Sequence, residues 1–245
     1  MTRAEVDEYS RKIRVPVYDV GPENTLKFGS VLRLVQETSE QHLDLLHISY
    51  EEYRADGFVF FIISTRVKIN RLPEHNEPLI IKTHPRGRCG AQFYRDFKFY
   101  DKNNNLIIDV MQTTVLADVK THKVQRPQNL YKYGIFRDFP VEKEERIARI
   151  NIGTDLNFAG ERQVYYSDLD ANGHVNNSVY GDIFVDFLPA GVKELSLKEV
   201  CITYINETEP GDILKIYRKA ENGKISMYGA NKSGNSFAAS AVLKN

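Results

Sequence analysis

Two kinds of hydrophobic spacing alternate along this chain of 245 residues. Apolar residues recur at helical spacing over 26–46 and again over 177–188, whereas shorter apolar runs bounded by turn residues are typical of strands. The predicted strands are 12–20, 58–71, 77–86, 90–101 and 106–119, and then 161–167, 197–206, 212–220, 223–231 and 235–243. The pattern predicts an α+β protein in which each helix is accompanied by a set of antiparallel strands.

An internal repeat indicates two halves of similar design. A shift of 148 residues places 17–18 on 165–166, Asn24 on Asn172 and 30–31 on 178–179. A shift of 133 residues places 67–69 on 200–202, Glu74 on Glu207 and Lys82 on Lys215. The difference between the two shifts means that the first repeat has about fifteen extra residues after its helix, in the segment 50–59. We therefore expect a first repeat at 1–140, a linker rich in charge and proline at 141–155, and a second repeat at 156–245.

Chemistry is concentrated in the window 165–180, where two acids, three asparagines and a histidine lie between a predicted strand and a predicted helix. Residues 163–167 indicate a strand, 170–173 a tight turn, and Val175 the start of a helix with Asn176 or Asn177 as its N-cap. Asp170, Asn172 and His174 then lie beside a helix N-terminus, whose free N–H groups stabilise a developing oxyanion. Each residue alone is also an ordinary turn or capping residue.

Calcium binding is an alternative for the same window. Asp168, Asp170, Asn172 and Gly173 match the first half of an EF-hand loop. The twelfth loop position requires a bidentate glutamate, and Val179 occupies it. We therefore expect no metal, and nothing in the chain indicates a cofactor.

The run Asp-Leu-Asp-x-Asn-x-His-Val-Asn-Asn from Asp168, followed by Tyr180, resembles the motif of the acyl-acyl-carrier-protein thioesterases. The resemblance covers both halves of the chain. It implies tandem hot-dog repeats, each a long helix wrapped by an antiparallel sheet, with the active residues in the second repeat. It also implies hydrolysis of fatty acyl-acyl carrier protein to free fatty acid. Acyl-CoA thioesterases with one hot-dog domain share a shorter form of the motif.

The first repeat lacks the decisive groups of the second. At the shift of 148, Pro22 lies opposite Asp170 and Leu26 opposite His174. We therefore expect the second repeat to catalyse the reaction and the first to supply an acyl pocket. Its apolar residues either line that pocket or form plain core: Leu26, Phe28, Val31, Leu32, Leu34, Val35 and 58–63.

Glu207, at the end of a predicted strand, is the remaining catalytic candidate. The resembled family has a glutamate there, often followed by cysteine, but here Thr208 follows. Neither Cys89 nor Cys201 is favoured as a nucleophile. Our hypothesis is that Asp170 and Glu207 act on or orient water, that Asn172 and the helix start hold the thioester oxygen, and that His174 polarises the substrate or relays a proton. Glu207 can equally be a turn acid.

Composition limits the partners. Thirty-three basic residues balance thirty-three acidic ones, so no global field favours nucleic acid. A local basic segment is a candidate for docking an acidic acyl carrier protein, or simply a wet strand face: Lys82, His84, Arg86, Arg88, Arg95 and Lys98, with Arg66, Lys68 and Arg71. The N-terminus resembles no signal or transit peptide and no apolar run is long enough to span a membrane, so we expect a cytoplasmic protein, as a monomer or homodimer.

Three other functions compete with this interpretation. An acyl-CoA thioesterase would share the chemistry, and a dehydratase would place its histidine and acid in different halves. A non-enzymatic acyl-binding protein would need neither Asp170 nor His174. The fold alone does not choose among them.

Overall fold

The computed structural model describes residues 8–47, 50–133, 146–153 and 155–244. Within them the helices are α1 Phe28–Leu45, α2 Tyr50–Ala55 and α3 Val179–Asp186. The strands of the first half are β1 Tyr9–Arg14, β2 Phe58–Ile69, β3 Pro78–Cys89, β4 Gln92–Tyr100 and β5 Leu106–Asp118. Those of the second half are β6 Asn157–Gln163, β7 Leu197–Tyr204, β8 Ile213–Glu221, β9 Lys224–Asn231 and β10 Gly234–Leu243. The predicted α+β pattern is confirmed.

The described strands form one antiparallel sheet in the order β1-β3-β4-β5-β2-β7-β10-β9-β8-β6. Counted from its own edge of the sheet, each half arranges its five strands in the same order: first, third, fourth, fifth, second. The second strands of the two halves, β2 and β7, therefore meet at the centre. Within that central pair, Val67 lies opposite Val200 and Lys68 lies opposite Glu199. Within these two strands, residues 133 positions apart are therefore related symmetrically, as the second repeat shift predicts. Beyond them the shift is 135, because the hydrogen bond from the Val15 N–H to the Glu77 carbonyl matches that from Val164 to Asp212. The predicted matches of Glu74 with Glu207 and of Lys82 with Lys215 were therefore wrong by two residues.

The core lies between the sheet and the helices α1 and α3. Phe28 and Phe184, one from each helix, are fully buried with their ring centroids 6.2 Å apart. A Cβ added to Gly181 would lie 3.2 Å from the Cα of Gly29, so glycine at these positions lets the two helices approach closely. The two halves thus share one core.

Some boundaries differ from the sequence prediction. Strand β1 ends at Arg14, before Pro16, which has no N–H to donate; a 3₁₀ turn, 17–19, follows. Strand β6 covers 157–163 rather than 161–167, and a second 3₁₀ turn follows it at 166–168. Helix α3, the main helix of the second half, is only eight residues long and ends before Pro189. It is therefore not the long helix that the resemblance implied.

The predicted linker, 141–155, lies partly outside the described residues, as do 134–140 at the end of the predicted first repeat. Residues 146–153 form neither helix nor strand. In the described part of the chain, no helix combines the length and apolar character needed to cross a bilayer.

Candidate functional site

Asp170 is held in the tight turn that the sequence predicts. The N–H of Gly173 donates to the Asp170 carbonyl at 3.0 Å, and Gly173 adopts φ +80°, a conformation that favours glycine. The Asp170 Oδ1 atom accepts the N–H groups of Asn172 at 2.8 Å and His174 at 3.4 Å. One carboxylate oxygen therefore stabilises the turn, and Oδ2 accepts a longer hydrogen bond from Asn172 Nδ2 at 3.5 Å.

The Asn172 amide is oriented by helix α2 of the first half. Its Oδ1 accepts hydrogen bonds from the Tyr50 hydroxyl at 2.5 Å and from Arg54 Nη1 at 2.8 Å. Both partners are donors, so the oxygen must face α2. The Nδ2 group points the other way and lies 3.5 Å from Asp170 Oδ2. Asn172 thus presents N–H donors beside a carboxylate.

His174 contacts Glu207, and Glu207 contacts a second histidine. The distance from His174 Nε2 to Glu207 Oε2 is 3.5 Å, and that from His122 Nδ1 to Glu207 Oε1 is 3.1 Å. The two imidazole centroids are 6.3 Å apart. His122 comes from the turn after β5, in the first half. The structure therefore brings together the four residues selected from sequence in two contacting pairs, Asp170 with Asn172 and His174 with Glu207.

Backbone and buried hydroxyl contacts fix the loop of Glu207 against the loop of His174. The Val175 N–H donates to the Thr208 carbonyl at 3.0 Å, which joins the residues that follow each candidate. The fully buried Thr208 hydroxyl is bonded to Tyr180 on α3 and to Ser236 on β10. Burial raises the pKa of Tyr180, so this hydroxyl cluster is neutral. The cluster links the loop of Glu207 to α3 and β10.

The helix start differs from the prediction. Helix α3 begins at Val179 rather than Val175, and Asn176 caps the turn before it by accepting the N–H and hydroxyl of Ser178 at 2.9 and 2.8 Å. Asn177 lines the adjacent cavity. The polar turn at 176–178 therefore separates His174 from the helix proper.

The equivalent loop of the first half is displaced by one residue from the predicted shift of 148. The hydrogen bond from Lys27 N–H to the Asp19 carbonyl matches that from Asn176 to Asp168, so the structural shift is 149. Gly21, Glu23 and Thr25 therefore lie opposite Asp170, Asn172 and His174. The predicted partners Pro22, Asn24 and Leu26 were wrong, because the motif gave no marker for the length of the turn. The first half still lacks an acid at the position of Asp170 and an imidazole at that of His174.

A cavity of about 400 Å³ opens beside Asp170 and Asn172. Such a volume falls in the range of small-molecule sites. Apart from 170–172 and Asn177, its walls come from the first half: Gln36, Ser39, Glu40, Leu43, Leu46, Tyr50, Tyr53, Val59, Phe60, Ile62, Pro85, Gly87, Phe93, Tyr94, Arg95, Gln112 and Thr114. Of the apolar residues expected to form a pocket, 59, 60 and 62 line this cavity, whereas Leu26, Phe28, Val31, Leu32 and Val35 are buried in the main core.

The cavity wall also contains charge. Arg95 Nη1 contacts His42 Nδ1 at 2.9 Å and the Thr83 hydroxyl at 3.3 Å, and burial lowers the pKa of Arg95 to about 10. Glu40 is partly buried in the same wall; burial and the neighbouring Asp44 raise its pKa. The cavity is therefore apolar and aromatic with one polar wall.

We expect Glu40→Gln to stabilise the protein at pH 7. The folded-state pKa of Glu40 lies above the unfolded value of about 4.3. As pH rises from the unfolded to the folded pKa, the unfolded chain ionises more readily, so the free energy of unfolding falls and stays lower at higher pH. The Tm of the variant should therefore exceed that of the native chain at pH 7 and match it near pH 4. Glu37→Gln, an exposed change on the same helix, is the control. A lower Tm for Glu40→Gln at pH 7 would contradict this assignment.

Two domain families match the chain. The acyl-ACP thioesterase N-terminal domain matches residues 6–147, and the acyl-ACP thioesterase C-terminal domain matches 154–240. The chain belongs to the acyl-ACP thioesterase family. A chloroplastic palmitoyl-acyl carrier protein thioesterase of Cuphea hookeriana is 23% identical over 209 residues, which cover 79% of this chain and 49% of the relative. The chain thus spans about half the length of this curated relative.

Solved structures of acyl-ACP thioesterases share the fold. One from Bacteroides thetaiotaomicron superimposes with a TM-score of 0.86 at 16% identity, covering 100% of both chains. The 12:0-ACP thioesterase of Umbellularia californica gives a TM-score of 0.85 at 17% identity, covering 97% of both. The expected double hot-dog architecture is confirmed.

Within this acyl-ACP thioesterase family member, neither Cys201 nor Thr208 is prepared for nucleophilic attack. Thr208 is buried in the hydroxyl cluster, and burial, with a contribution from Glu199, raises the pKa of Cys201 to about 11. The thiolate is the reactive form, and this environment disfavours it.

We expect Cys201→Ala to leave the rate of acyl thioester hydrolysis unchanged, because burial disfavours the reactive thiolate. The measurement is the rate of thiol release from an acyl thioester by the folded variant. Loss of turnover with an unchanged Tm would restore a covalent route through Cys201.

The basic segment is largely engaged within the chain. Lys82 pairs with Glu8 at 2.9 Å, Arg71 pairs with Glu77 at 2.6 Å, and Arg95 lies in the cavity wall. The expectation that Arg95 is on a docking surface was wrong, because its side chain faces α1. Lys68 and Lys98 remain exposed.

The calcium alternative finds no support in the loop geometry. Asp168 turns away from Asp170: its Oδ1 pairs with Arg162 at 2.8 Å, and its Oδ2 accepts the Tyr165 N–H at 2.8 Å. Among the described residues, no group of three or more His, Cys, Asp or Glu side chains has the arrangement of a metal site.

Sequence reasoning missed three residues at the site: Tyr50, Arg54 and His122. Tyr50 and Arg54 lie in the extra segment of the first half, and an insertion in only one of two repeats is a signal for function. His122 had no such signal, because it lies 85 residues from Glu207 in a turn of unremarkable sequence.

Tyr50→Phe should lower kcat by about three- to tenfold, the range expected for one lost hydrogen bond that orients Asn172. The matched control is Tyr133→Phe, which removes a hydroxyl bonded to Asp56 at the end of α2. The comparison is the thiol-release rate of the two variants. Equal rates for both would show that the Tyr50 hydroxyl does not act on the site.

Proposed function

We propose that the chain hydrolyses the thioester of fatty acyl-acyl carrier protein and releases free fatty acid. One observation carries the proposal: Asp170 lines the cavity together with Asn172, whose amide is oriented by α2. Family membership supports the reaction class, and curated relatives named as acyl-carrier hydrolases support the carrier as substrate.

The acyl chain lies in the cavity of the first half. Burial of each methylene in an apolar site contributes about 0.8 kcal/mol, and the aromatic rings of Tyr53, Phe60 and Phe93 provide such walls. With the chain in place, the thioester group lies at the other end of the cavity, beside Asp170 and Asn172. The first half thus binds the chain, and the second half supplies the reacting groups.

Asp170 acts as the general base. Its Oδ1 is occupied by two backbone N–H groups, so Oδ2 takes a proton from water while the water oxygen bonds to the carbonyl carbon. The carbonyl π electrons move to oxygen and give a tetrahedral oxyanion. When its C–O double bond re-forms, the C–S bond breaks and the sulfur leaves as thiolate.

Asn172 stabilises the developing oxyanion, and His174 protonates the departing thiolate. The Asn172 Nδ2 group, with the backbone N–H of Asn177, donates to the oxyanion. Glu207 orients the His174 imidazole, which relays a proton to the departing thiolate. The sum is one thioester and one water giving one carboxylic acid and one thiol, and the step requires no cofactor.

The carrier is the partner, and its acidic surface meets exposed basic side chains such as Lys68 and Lys98 near the first half of the sheet. The chain acts as a monomer or a homodimer, and the mass of its complex with the carrier distinguishes the two.

The test is thiol release from C8 to C18 acyl carriers, saturated and unsaturated, beside the matching CoA esters. We expect faster release from the carriers, with a maximum at one chain length set by the cavity. Faster release from CoA would assign an acyl-CoA thioesterase instead. Retention of the acyl chain without release from either would assign a binding protein.

A further inference from the structure

His122 is fixed in a turn at the end of the first half. It adopts φ +55°, and its N–H donates to the Asp118 carbonyl at 2.9 Å. The Asp118 carboxylate accepts the N–H groups of Lys120 and Thr121 at 3.1 and 2.8 Å. The Phe61 ring packs edge-on against the imidazole, with centroids 5.2 Å apart. Backbone and ring contacts thus set the direction of the side chain.

The imidazole of His122 meets one oxygen of Glu207 and leaves the other for His174. Nδ1 is 3.1 Å from Oε1, and since a carboxylate only accepts, Nδ1 carries a proton. Oε2 is 3.5 Å from His174 Nε2. One oxygen of the Glu207 carboxylate is therefore held by His122, and the other faces His174.

Glu207 needs such an anchor. It follows the end of β7, and 42% of its side chain is exposed. A free glutamate samples many rotamers, and holding it in one costs entropy. A small loss of position at a reacting group can lower the rate severely.

We propose that His122 is a positioning residue that holds Glu207 in the orientation in which it supports His174. The proposal rests on the proposed thioester hydrolysis. It means that the first half, although it lacks the acid and imidazole of the catalytic loop, completes the site of the second half through this contact.

Two variants at position 122 test the contact without straining the turn. Glycine and asparagine both tolerate the left-handed conformation. His122→Gly deletes the side chain. His122→Asn places an amide N–H the same number of bonds from the backbone as Nδ1, so it can still donate to Glu207. We expect His122→Gly to lower kcat about tenfold with little change in KM, and His122→Asn to restore most of the rate. Both should keep the native Tm.

The Glu207→Ala background gives the decisive comparison, because it removes both carboxylate oxygens. There His122→Gly should cause no further loss, since the side chain that His122 positions is absent. Native kcat in His122→Gly, an equal loss in His122→Asn, or a further loss in the Glu207→Ala background would each overturn the proposal.

A readout independent of turnover separates this proposal from the proposed function. The ¹⁵N resonances of the His174 imidazole should shift in His122→Gly and stay near their native values in His122→Asn. Unshifted His174 resonances in His122→Gly would overturn the contact. A native chain without turnover on any thioester would refute the proposed function. The ¹⁵N resonances of His174 would still test whether His122 positions Glu207.

Discussion

Asp170→Asn is expected to lower kcat by about 10²- to 10⁴-fold, the contribution typical of a general base. The variant keeps an Oδ1 that can accept the N–H groups of Asn172 and His174, so the turn should persist. What it loses is the ability to take a proton from water. The measurement is the thiol-release rate at saturating acyl carrier, with Tm as the test of folding.

The control is Asp101→Asn, because Asp101 also accepts backbone N–H groups in a turn, from Asn103 and Asn105, but lies outside the cavity. This change should leave turnover unchanged. A folded Asp170→Asn protein with native kcat would remove Asp170 from the chemistry and leave it a turn residue.

His174→Ala should abolish turnover while the chain remains folded. The side chain is only partly buried and its backbone N–H, which the variant keeps, makes the contact with Asp170. Loss of the imidazole removes the proton relay and leaves Glu207 with nothing to orient. An active His174→Ala protein would exclude the scheme of Asp170, Asn172, His174 and Glu207 as a whole.

A second substitution at position 174 distinguishes a role in proton transfer from a role in hydrogen bonding. His174→Gln keeps a polar group near Glu207 but cannot carry a proton between two oxygen or sulfur atoms. It should be as inactive as His174→Ala. Partial activity restored by glutamine would show that His174 acts by hydrogen bonding to the substrate.

The sequence predicted the strands well because each carries its own signal, an apolar run bounded by turn residues. It also predicted the central symmetry, since Val67 and Val200 are recognisable at a shift of 133 and pair in the sheet. The errors occur where two local preferences compete. Residues 163–167 are rich in strand formers, yet the Asp168 carboxylate caps Tyr165 and turns the chain into a 3₁₀ turn.

The candidate site was predictable only as far as the motif extends. Asp170, Asn172 and His174 share one turn, so their proximity follows from their spacing. The contact of His174 with Glu207 depends on the backbone bond between Val175 and Thr208, which no local pattern reveals. Tyr50, Arg54 and His122 come from the other half of the chain, and their contacts follow from how the two halves pack.

The most direct test of the account is the amount of free fatty acid, measured by mass spectrometry, that one equivalent of purified chain produces from excess acyl carrier protein. The account predicts many equivalents from the native chain and less than one from Asp170→Asn over the same interval. No more than one equivalent of intact acyl thioester held by the native chain, with no free acid, would contradict hydrolysis and make the cavity a site of storage.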